Sequence, residues 1–196
     1  MKLYKSKESN TFHYVTAVTH NRVPIFRSEP VCEIFLEVLN EVRIRFPYKL
    51  IGYVIMPDHV HAIVNNATGT ISDWLRRVRG NSARNILACL RAEEDFISLK
   101  KLALNPPQKR QHTHAVWQKD PSVIDLSSHK FIRQKLNYVH LNPVRAGLCE
   151  HPAEWKWSSH RAYLPHKSGD VPIEIDFQAY WKEEELAAKA GAVARL

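Results

Sequence analysis

The chain reads as an α+β domain of the ferredoxin-like, split βαβ kind: an antiparallel sheet with two helices on one face, plus an additional helix. Three observations predict this. The elements run strand, helix, strand, strand, helix, strand. The middle two strands are separated by a tight turn at Pro57-Asp58. A third amphipathic helix follows the second half of the pattern and is free to cover the sheet's other face.

"TFHYVTAV", residues 11 to 18, is rich in aromatic and β-branched residues and predicts the first strand. "HNRVPIF" is a loop. Ser28 is placed to cap a helix with Glu29 and Pro30 in its first turn. Val31, Ile34, Phe35, Val38, Leu39 and Val42 then recur at helical spacing until Pro47 closes the segment. "YKLIGYVIM" and "HVHAIVN" are the next two strands. Thr70 followed by Asp73 reads as a capping signal for the second helix. That helix turns Ile71, Trp74, Leu75, Val78, Ile86, Leu87 and Leu90 inward and carries Arg76, Arg77, Arg79 and Arg84 on its other face. Residues 98 to 111, with "NPPQKRQ", predict a loop, and "HTHAVWQ" predicts the fourth strand. Ser127 or Ser128 caps the third helix, "HKFIRQKLNYVHLN", which Pro143 ends or bends; Gly147 suits the turn after it. A domain over residues 1–165 and a partly helical tail over 166–196, with a short helix from Glu183, complete the expected organisation.

At 196 residues and 44% apolar composition the chain can bury a real core and is not a disordered protein. A net charge of +8 points to a polyanionic partner, nucleic acid before anionic membrane. No run of eighteen apolar residues is present to span a membrane. The N-terminal "MKLYKSKESN" lacks the apolar core of a signal peptide. Cys32, Cys89 and Cys149 are odd in number and far apart, which suits a reduced, cytoplasmic chain with cysteines serving as small hydrophobes. His13, His20, His112, His114 and His140 read as structural or surface groups.

Chemistry enters at "VIMPDHVHAIV". Side chains two apart on a strand share a face, so His59 and His61 project together while Val60 and Ala62 face the other way. Such a pair can bind one divalent metal ion, or can simply be two partly buried histidines satisfied by hydrogen bonds. The third helix bears on the choice. Tyr138 and Asn142 lie four apart on one helical face, with Lys135 and Phe131 beside them. An amide oxygen from Asn142 is a hard third ligand, and two imidazoles with such an oxygen suit magnesium or manganese acting on phosphate.

"PDHVHAIV" together with "LNYVHLNPVRAGL" resembles the single-tyrosine HUH transposases, specifically the REP-associated tyrosine transposases and their IS200-like insertion-sequence relatives. The likeness runs from about residue 11 to 164 and includes "TAVTHNRVPIF", "VWQ" and "EWKWSSHRAYL". It implies that Tyr138 is the nucleophile and that His59, His61 and Asn142 hold the metal. It also implies the reaction: nicking of single-stranded DNA beside a hairpin, leaving a 5′-phosphotyrosine and a free 3′ hydroxyl for later strand transfer. A free phenol, with a pKa near ~10, is a poor nucleophile at neutral pH, and a cation such as Lys135 one turn before it could lower that value. The likeness further implies a nucleoid-associated protein of a bacterial cytoplasm, working as a monomer or as a homodimer that exchanges the tyrosine helix.

For the DNA itself, Arg76, Arg77, Arg79 and Arg84 on the second helix are candidates to hold backbone phosphates, as are Arg133, Lys135 and Arg145 around the tyrosine. Trp117, Trp155 and Trp157 are candidates to stack on unpaired bases. Each has an ordinary structural use as well, a solvated helix face for the arginines and core for the tryptophans. Two other functions compete. A domesticated nucleic-acid-binding module would keep the fold without turnover. A phosphohydrolase acting on small molecules would use water and leave Tyr138 no task.

Overall fold

The computed structural model describes residues 11–66, 69–105, 113–164 and 172–176. The basic N-terminal segment, most of the "NPPQKRQ" loop with His112, and the helix expected from Glu183 lie outside these residues. Four strands form one antiparallel sheet: β1 (Phe12–Val18), β2 (Tyr48–Met56), β3 (His59–Asn66) and β4 (Ser122–Leu126), in the spatial order β2-β3-β1-β4. Helices α1 (Glu29–Arg45) and α2 (Ile71–Ala92) cover one face, and α4 (His129–Arg145) lies on the other. This is the expected ferredoxin-like α+β architecture with its added helix.

The alternation along the strands builds two cores. Val15, Ala17, Val60, Ala62 and Val64 join the α1/α2 side, while Tyr14, Ile63 and Leu126 join Ile132, Leu136 and Val139 of α4. A bulge between Leu50 and Gly52 turns both Ile51 and Gly52 toward α4. Gly52 is where the helix backs onto the sheet. A β-carbon there would collide with Leu136 and sit 3.3 Å from Ser159 Oγ, so only glycine allows α4 this close.

The helix ends follow local chemistry. Thr70 and Asp73 form the expected capping box of α2. Ser128 caps α4 by accepting from the Phe131 N–H. Pro143 is carried inside α4, which continues to Arg145 and closes in a Schellman turn: Gly147, at φ 66°, donates to Val144 O and Leu148 to Pro143 O. Ser28 starts α1 without a side-chain cap, its proline-containing first turn sufficing.

The sequence reading misplaces two elements. Residues 98 to 102 are not loop but part of the short helix α3 (Phe96–Leu102), capped by Asp95 accepting from Ser98 N–H. Its one buried residue, Leu102, leaves too little apolar periodicity to announce a helix. The fourth strand is Ser122–Leu126 and not "HTHAVWQ". Its described part, Thr113 to Gln118, pairs only through single bridges, Thr19 with Trp117 and Ala103 with His114, because the edge of β1 from Phe12 to Thr16 is already occupied by β4.

Trp117 and Trp157 are also corrected, since both are core residues. Trp117 is 6% exposed, stacks among Phe26 and Phe35, and gives its indole N–H to Ser82 Oγ of α2 at 3.1 Å. No base can reach it. Trp117→Ala is expected to cost about 3–5 kcal/mol of stability, read as a lower urea midpoint. A cost below about 1 kcal/mol would show that the ring is not the packed anchor described.

The segment "EWKWSSHRAYL" closes the exposed edge of β2. Ile55 N–H donates to Trp157 O, Trp155 Nε1 to Ile55 O, Tyr53 N–H to Ser159 Oγ and Tyr163 Oη to Ile51 O. Further along, Asp176 takes the Leu50 N–H on its carboxylate and gives its own N–H to Leu50 O, while Ile173 and Ile175 enter the α1/α2 core. An edge strand with unpaired N–H groups invites association, and here the chain itself fills it. Residues 172–176 thus lie past the expected boundary at 165 yet pack as part of the domain.

Candidate active site

His59 and His61 stand on the α4 side of β3, their ring centroids 4.8 Å apart. His61 is flanked across the sheet by Thr16 and Val54. Each imidazole is held by its Nδ1. That of His59 lies 2.6 Å from Asp58 Oδ1, and Asp58 is gripped on its other oxygen by Arg22 at 2.8 Å. Burial opposes the Asp58 charge, but the His59 and Arg22 hydrogen bonds outweigh it and hold the carboxyl below its ordinary range. His61 Nδ1 meets two hydroxyls, Tyr14 Oη at 2.8 Å and Thr16 Oγ1 at 2.9 Å. With the ring protons on Nδ1, both histidines leave Nε2 open as a ligand, oriented from behind by a carboxylate and a pair of hydroxyls.

Burial, then the neighbouring His59 and Lys135 charges, push the His61 pKa down to about 3. The ring is therefore neutral, as a metal ligand must be. Burial also pushes Tyr14 up to about 12, so its hydroxyl stays protonated.

The loop before α1 supports this corner. Asn21 and Arg22 both adopt left-handed backbone with φ 53°, which directs Arg22 back at Asp58. Thr19 donates its N–H to Asp58 O, its Oγ1 lies within hydrogen-bond distance of both Asp58 O and Val23 O, and Phe26 N–H donates to Pro57 O. The stretch "THNRVPIF" is thus a brace under the Pro57-Asp58 turn.

Helix α4 delivers its residues along one stripe. Ile132, Leu136, Val139, His140 and Pro143 are buried, which leaves Phe131, Lys135, Tyr138 and Asn142 on the adjoining face. Tyr138 is 38% exposed, and its ring centroid lies 5.7 Å from that of His61 and 6.2 Å from that of Tyr14. Lys135 Nζ is 5.7 Å from the Tyr138 ring and 4.8 Å from the Tyr14 ring, and the Arg145 guanidinium is 5.2 Å from Tyr138 on the other side. Asn142 is half-buried one turn on, and its Nδ2 is buried with no hydrogen-bond partner among the described residues.

These residues fit a divalent ion. No group of three or more His, Cys, Asp or Glu able to hold a metal occurs among the described residues. The protein's candidate ligands are then two neutral imidazoles, each with Nε2 open, and the amide oxygen of Asn142, a set that leaves coordination positions for phosphate or water.

Beneath α4, His140 is buried and its Nε2 meets Ser159 Oγ at 2.8 Å, tying the tyrosine helix to the edge of β2. Burial pushes its pKa also down to about 3. Unfolding restores both His61 and His140 to an ordinary value near ~6.5, so below that pH the unfolded chain binds more protons. Stability is therefore expected to fall as pH drops from 6.5 toward 4, measured as urea midpoints with a chelator present. A midpoint constant over that range would overturn it.

The other candidate residues lie elsewhere. Arg133 is exposed on α4. Arg76, Arg77, Arg79 and Arg84 are on α2, across the sheet from the histidines. Arg79 is half-buried and donates to Gln118 O; burial lowers its pKa. Its guanidinium is engaged with the protein's own main chain. Sequence reasoning did not pick out Tyr14, Thr16, Asp58, Arg22 or Ser159. Tyr14 and Thr16 carry a signal in hindsight, since they alternate on β1 as His59 and His61 do on β3.

Residues 6–99 match the model of the IS200-like transposase family, a stretch that holds both histidines and ends before α4. The fold is similar to a solved structure described as the REP-associated tyrosine transposase bound to a REP hairpin, with a TM-score of 0.62 at 19% identity over 90% of this chain and 96% of that one. A chain from Deinococcus radiodurans R1, provisionally named a transposase, aligns with a TM-score of 0.44 at 20% identity over 71% of this chain and 98% of that one. No curated protein matches the chain. No helix among the described residues is long and apolar enough to cross a membrane. The paired histidines thus lie inside the segment that matches the IS200-like transposase family, and the helix carrying Tyr138 lies over them.

Proposed function

We propose that this protein cuts and rejoins single-stranded DNA beside a hairpin, with Tyr138 as nucleophile. The observation that carries the reading is the placement of a half-exposed tyrosine 5.7 Å from the inner histidine of a braced pair, between two cations. The solved relative of similar fold is bound to a REP hairpin, which makes a hairpin-bearing strand the substrate to test.

The phenol oxygen of Tyr138 forms a bond to the scissile phosphorus as the bond from phosphorus to the 3′ oxygen breaks. The phenolic proton passes to solvent, and the departing 3′ oxygen gains one. The phosphodiester energy is kept in the phosphotyrosine, so a later attack by another 3′ hydroxyl restores a DNA bond and frees the tyrosine without a cofactor's energy. Lys135 and Arg145 place positive charge where the anionic phosphate must lie. His59, His61 and Asn142 would hold a divalent ion, Mg or Mn. Such an ion, when bound, supplies polarisation of the phosphate and shields its charge from the incoming oxygen. The sheet beneath is rigid and the histidines are fixed from behind, so the chain's contribution is chiefly positioning.

The test uses a hairpin-bearing single-stranded oligonucleotide with manganese, labelled at either end. A 3′ label should migrate with the denatured protein, and a 5′ label should appear on a shorter strand that a polymerase can extend. Absence of any covalent adduct overturns the proposal.

A further inference from the structure

The sheet face that carries His59 and His61 continues past them to its edge. Cross-strand partners share a face, so one row runs from His61 to Thr16 and on to Ser122 of β4, and a second from Ile63 through Tyr14 to Ile124. A third row pairs Phe12 with Leu126. Neighbouring strands lie ~4.8 Å apart, which puts Ser122 about 10 Å from His61 along its row. The rows differ in cover. Leu126 is buried in the α4 core, whereas Ile124 is 36% exposed and Ser122 is exposed as well. Helix α4 therefore closes one end of β4 and leaves the other as an open shelf beside Tyr14 and Thr16.

The residues of β4 that point the other way are the ones that hold the strand. Val123 packs on the α1/α2 core, and Asp125 Oδ1 lies 2.7 Å from His13 Nδ1. Ser122 and Ile124 are thus left facing the site side. The shelf they form adjoins the reacting group. Tyr14, the cross-strand partner of Ile124, lies 6.2 Å from Tyr138, ring centroid to ring centroid. Lys135 Nζ stands 4.8 Å from the centroid of the same Tyr14 ring. A branched apolar side chain is therefore one strand spacing from a ring that both the nucleophile and a cation approach. Apolar surface beside a few placed polar groups is the usual make-up of a ligand contact.

A strand with its scissile phosphate at Tyr138 must lay the flanking nucleotides across the sheet. Toward β2 the way is filled, since Ile51, Val54 and Met56 pack in one core with Leu136 and Val139 of α4. Toward β4 it is open. Lys135 is placed for a phosphate on that course, and the attached base then meets Ile124. An isoleucine offers no donor or acceptor, so contact with it selects by shape and apolar surface, while the Ser122 hydroxyl adds one adaptable hydrogen bond. We infer that Ile124 is a specificity-determining residue of the strand-cutting reaction, resting against the base next to the scissile phosphate, with Ser122 beside the same nucleotide. The inference rests on the reading of Tyr138 as the cutting group and adds how that site selects where along the strand to cut. Ile124 and Ser122 choose the nucleotide and take no part in bond making.

Two measurements on the full chain test this. In the first, hairpin-bearing single strands randomised at the positions flanking the cut are incubated with manganese, and the strands captured as adduct are sequenced. The wild type should prefer one base by about tenfold at one flanking position. Ile124→Ala should flatten that preference to about twofold and leave the other positions as they were. Ile124→Asn, whose amide can pair with the edge of adenine, should move the preference toward adenine at that position alone. A loosened fold would lower the yield of adduct without changing one position selectively. In the second, a base carrying a diazirine is placed at successive positions and photolysed with a chelator present, so that no cutting occurs. The cross-link from that same position should map to residues 122–126. The same preferences in all three proteins, no preference in the wild type, or cross-links that never fall on β4 would each overturn the inference while adduct formation leaves the catalytic reading standing. Cross-links on β4 with no adduct from the wild type on any strand would sink the catalytic reading, and with it the role of Ile124 in choosing a cut.

Discussion

Replacing Tyr138 by phenylalanine is expected to abolish the protein–DNA adduct and lower strand cleavage by at least about 10³-fold, as loss of a nucleophile does in other covalent catalysts. Fold and DNA binding should survive. The side chain is 38% exposed, and losing one hydroxyl at such a position should change stability by no more than about 0.5 kcal/mol. Tyr14 is the natural control. It lies 6.2 Å from Tyr138, but it is buried, its hydroxyl is committed to His61, and burial pushes its pKa up to about 12. Tyr14→Phe should therefore still form the adduct, at a reduced rate because His61 loses one of its two supports. An adduct that persists in Tyr138→Phe and disappears in Tyr14→Phe would reassign the nucleophile. Cleavage without adduct in both would point to water as the attacking group, and to the phosphohydrolase reading.

Much of this arrangement is legible in the chain because it rests on local periodicity. The alternation of "HVHAIV" places both histidines on one face, and the helical spacing of Lys135, Tyr138 and Asn142 places them on one stripe. The capping box at Thr70 and Asp73 and the glycine turn after α4 are likewise local. What escapes is long-range. Trp117 looks like a base-stacking residue because nothing nearby in sequence shows Ser82, 35 residues before it, receiving its N–H. The paired use of Asp58 and Arg22 depends on a left-handed loop that no residue type in it demands. Strand β4 is five residues long and exposed at alternate positions, so composition gives it little weight. The arginines of α2 were legible as basic, but that Arg79 is half-buried and donates to Gln118 O, 39 residues on, was not.

The two faces of the sheet are built differently. The α1/α2 face carries most of the core. The α4 face carries a thinner core around Tyr14, Ile63, Leu136 and Val139. Its rigidity comes from elsewhere: Gly52 lets α4 pack closely, and His140 ties that helix to Ser159, which is itself bonded to the main chain of β2. "EWKWSSHRAYL" thus helps to set the position of α4 over the sheet.

His61→Ala should reduce Mn²⁺ binding by more than about 100-fold and bring cleavage to the level of Tyr138→Phe. Binding is read directly, from the loss of the free-ion electron paramagnetic signal on titration, so the result does not depend on turnover. The truncation also strands the hydroxyls of Tyr14 and Thr16, a cost of about 1–3 kcal/mol. Stability must therefore be measured beside it. Asp58→Asn gives the graded comparison. It leaves both imidazoles in place but weakens the hydrogen bond that orients His59 and the grip of Arg22, and should lower Mn²⁺ affinity by about 10–100-fold. Tyr138→Phe, by contrast, should bind the ion as the wild type does, since the phenol is not among the expected ligands. If His61→Ala and Asp58→Asn are folded and bind Mn²⁺ as tightly as the wild type, the paired histidines are not a metal site. If all three variants lose binding together, the tyrosine belongs to the ligand set and its role as a free nucleophile is wrong. The order His61→Ala, then Asp58→Asn, then Tyr138→Phe, from weakest to tightest, is the outcome that the carboxylate-braced geometry requires.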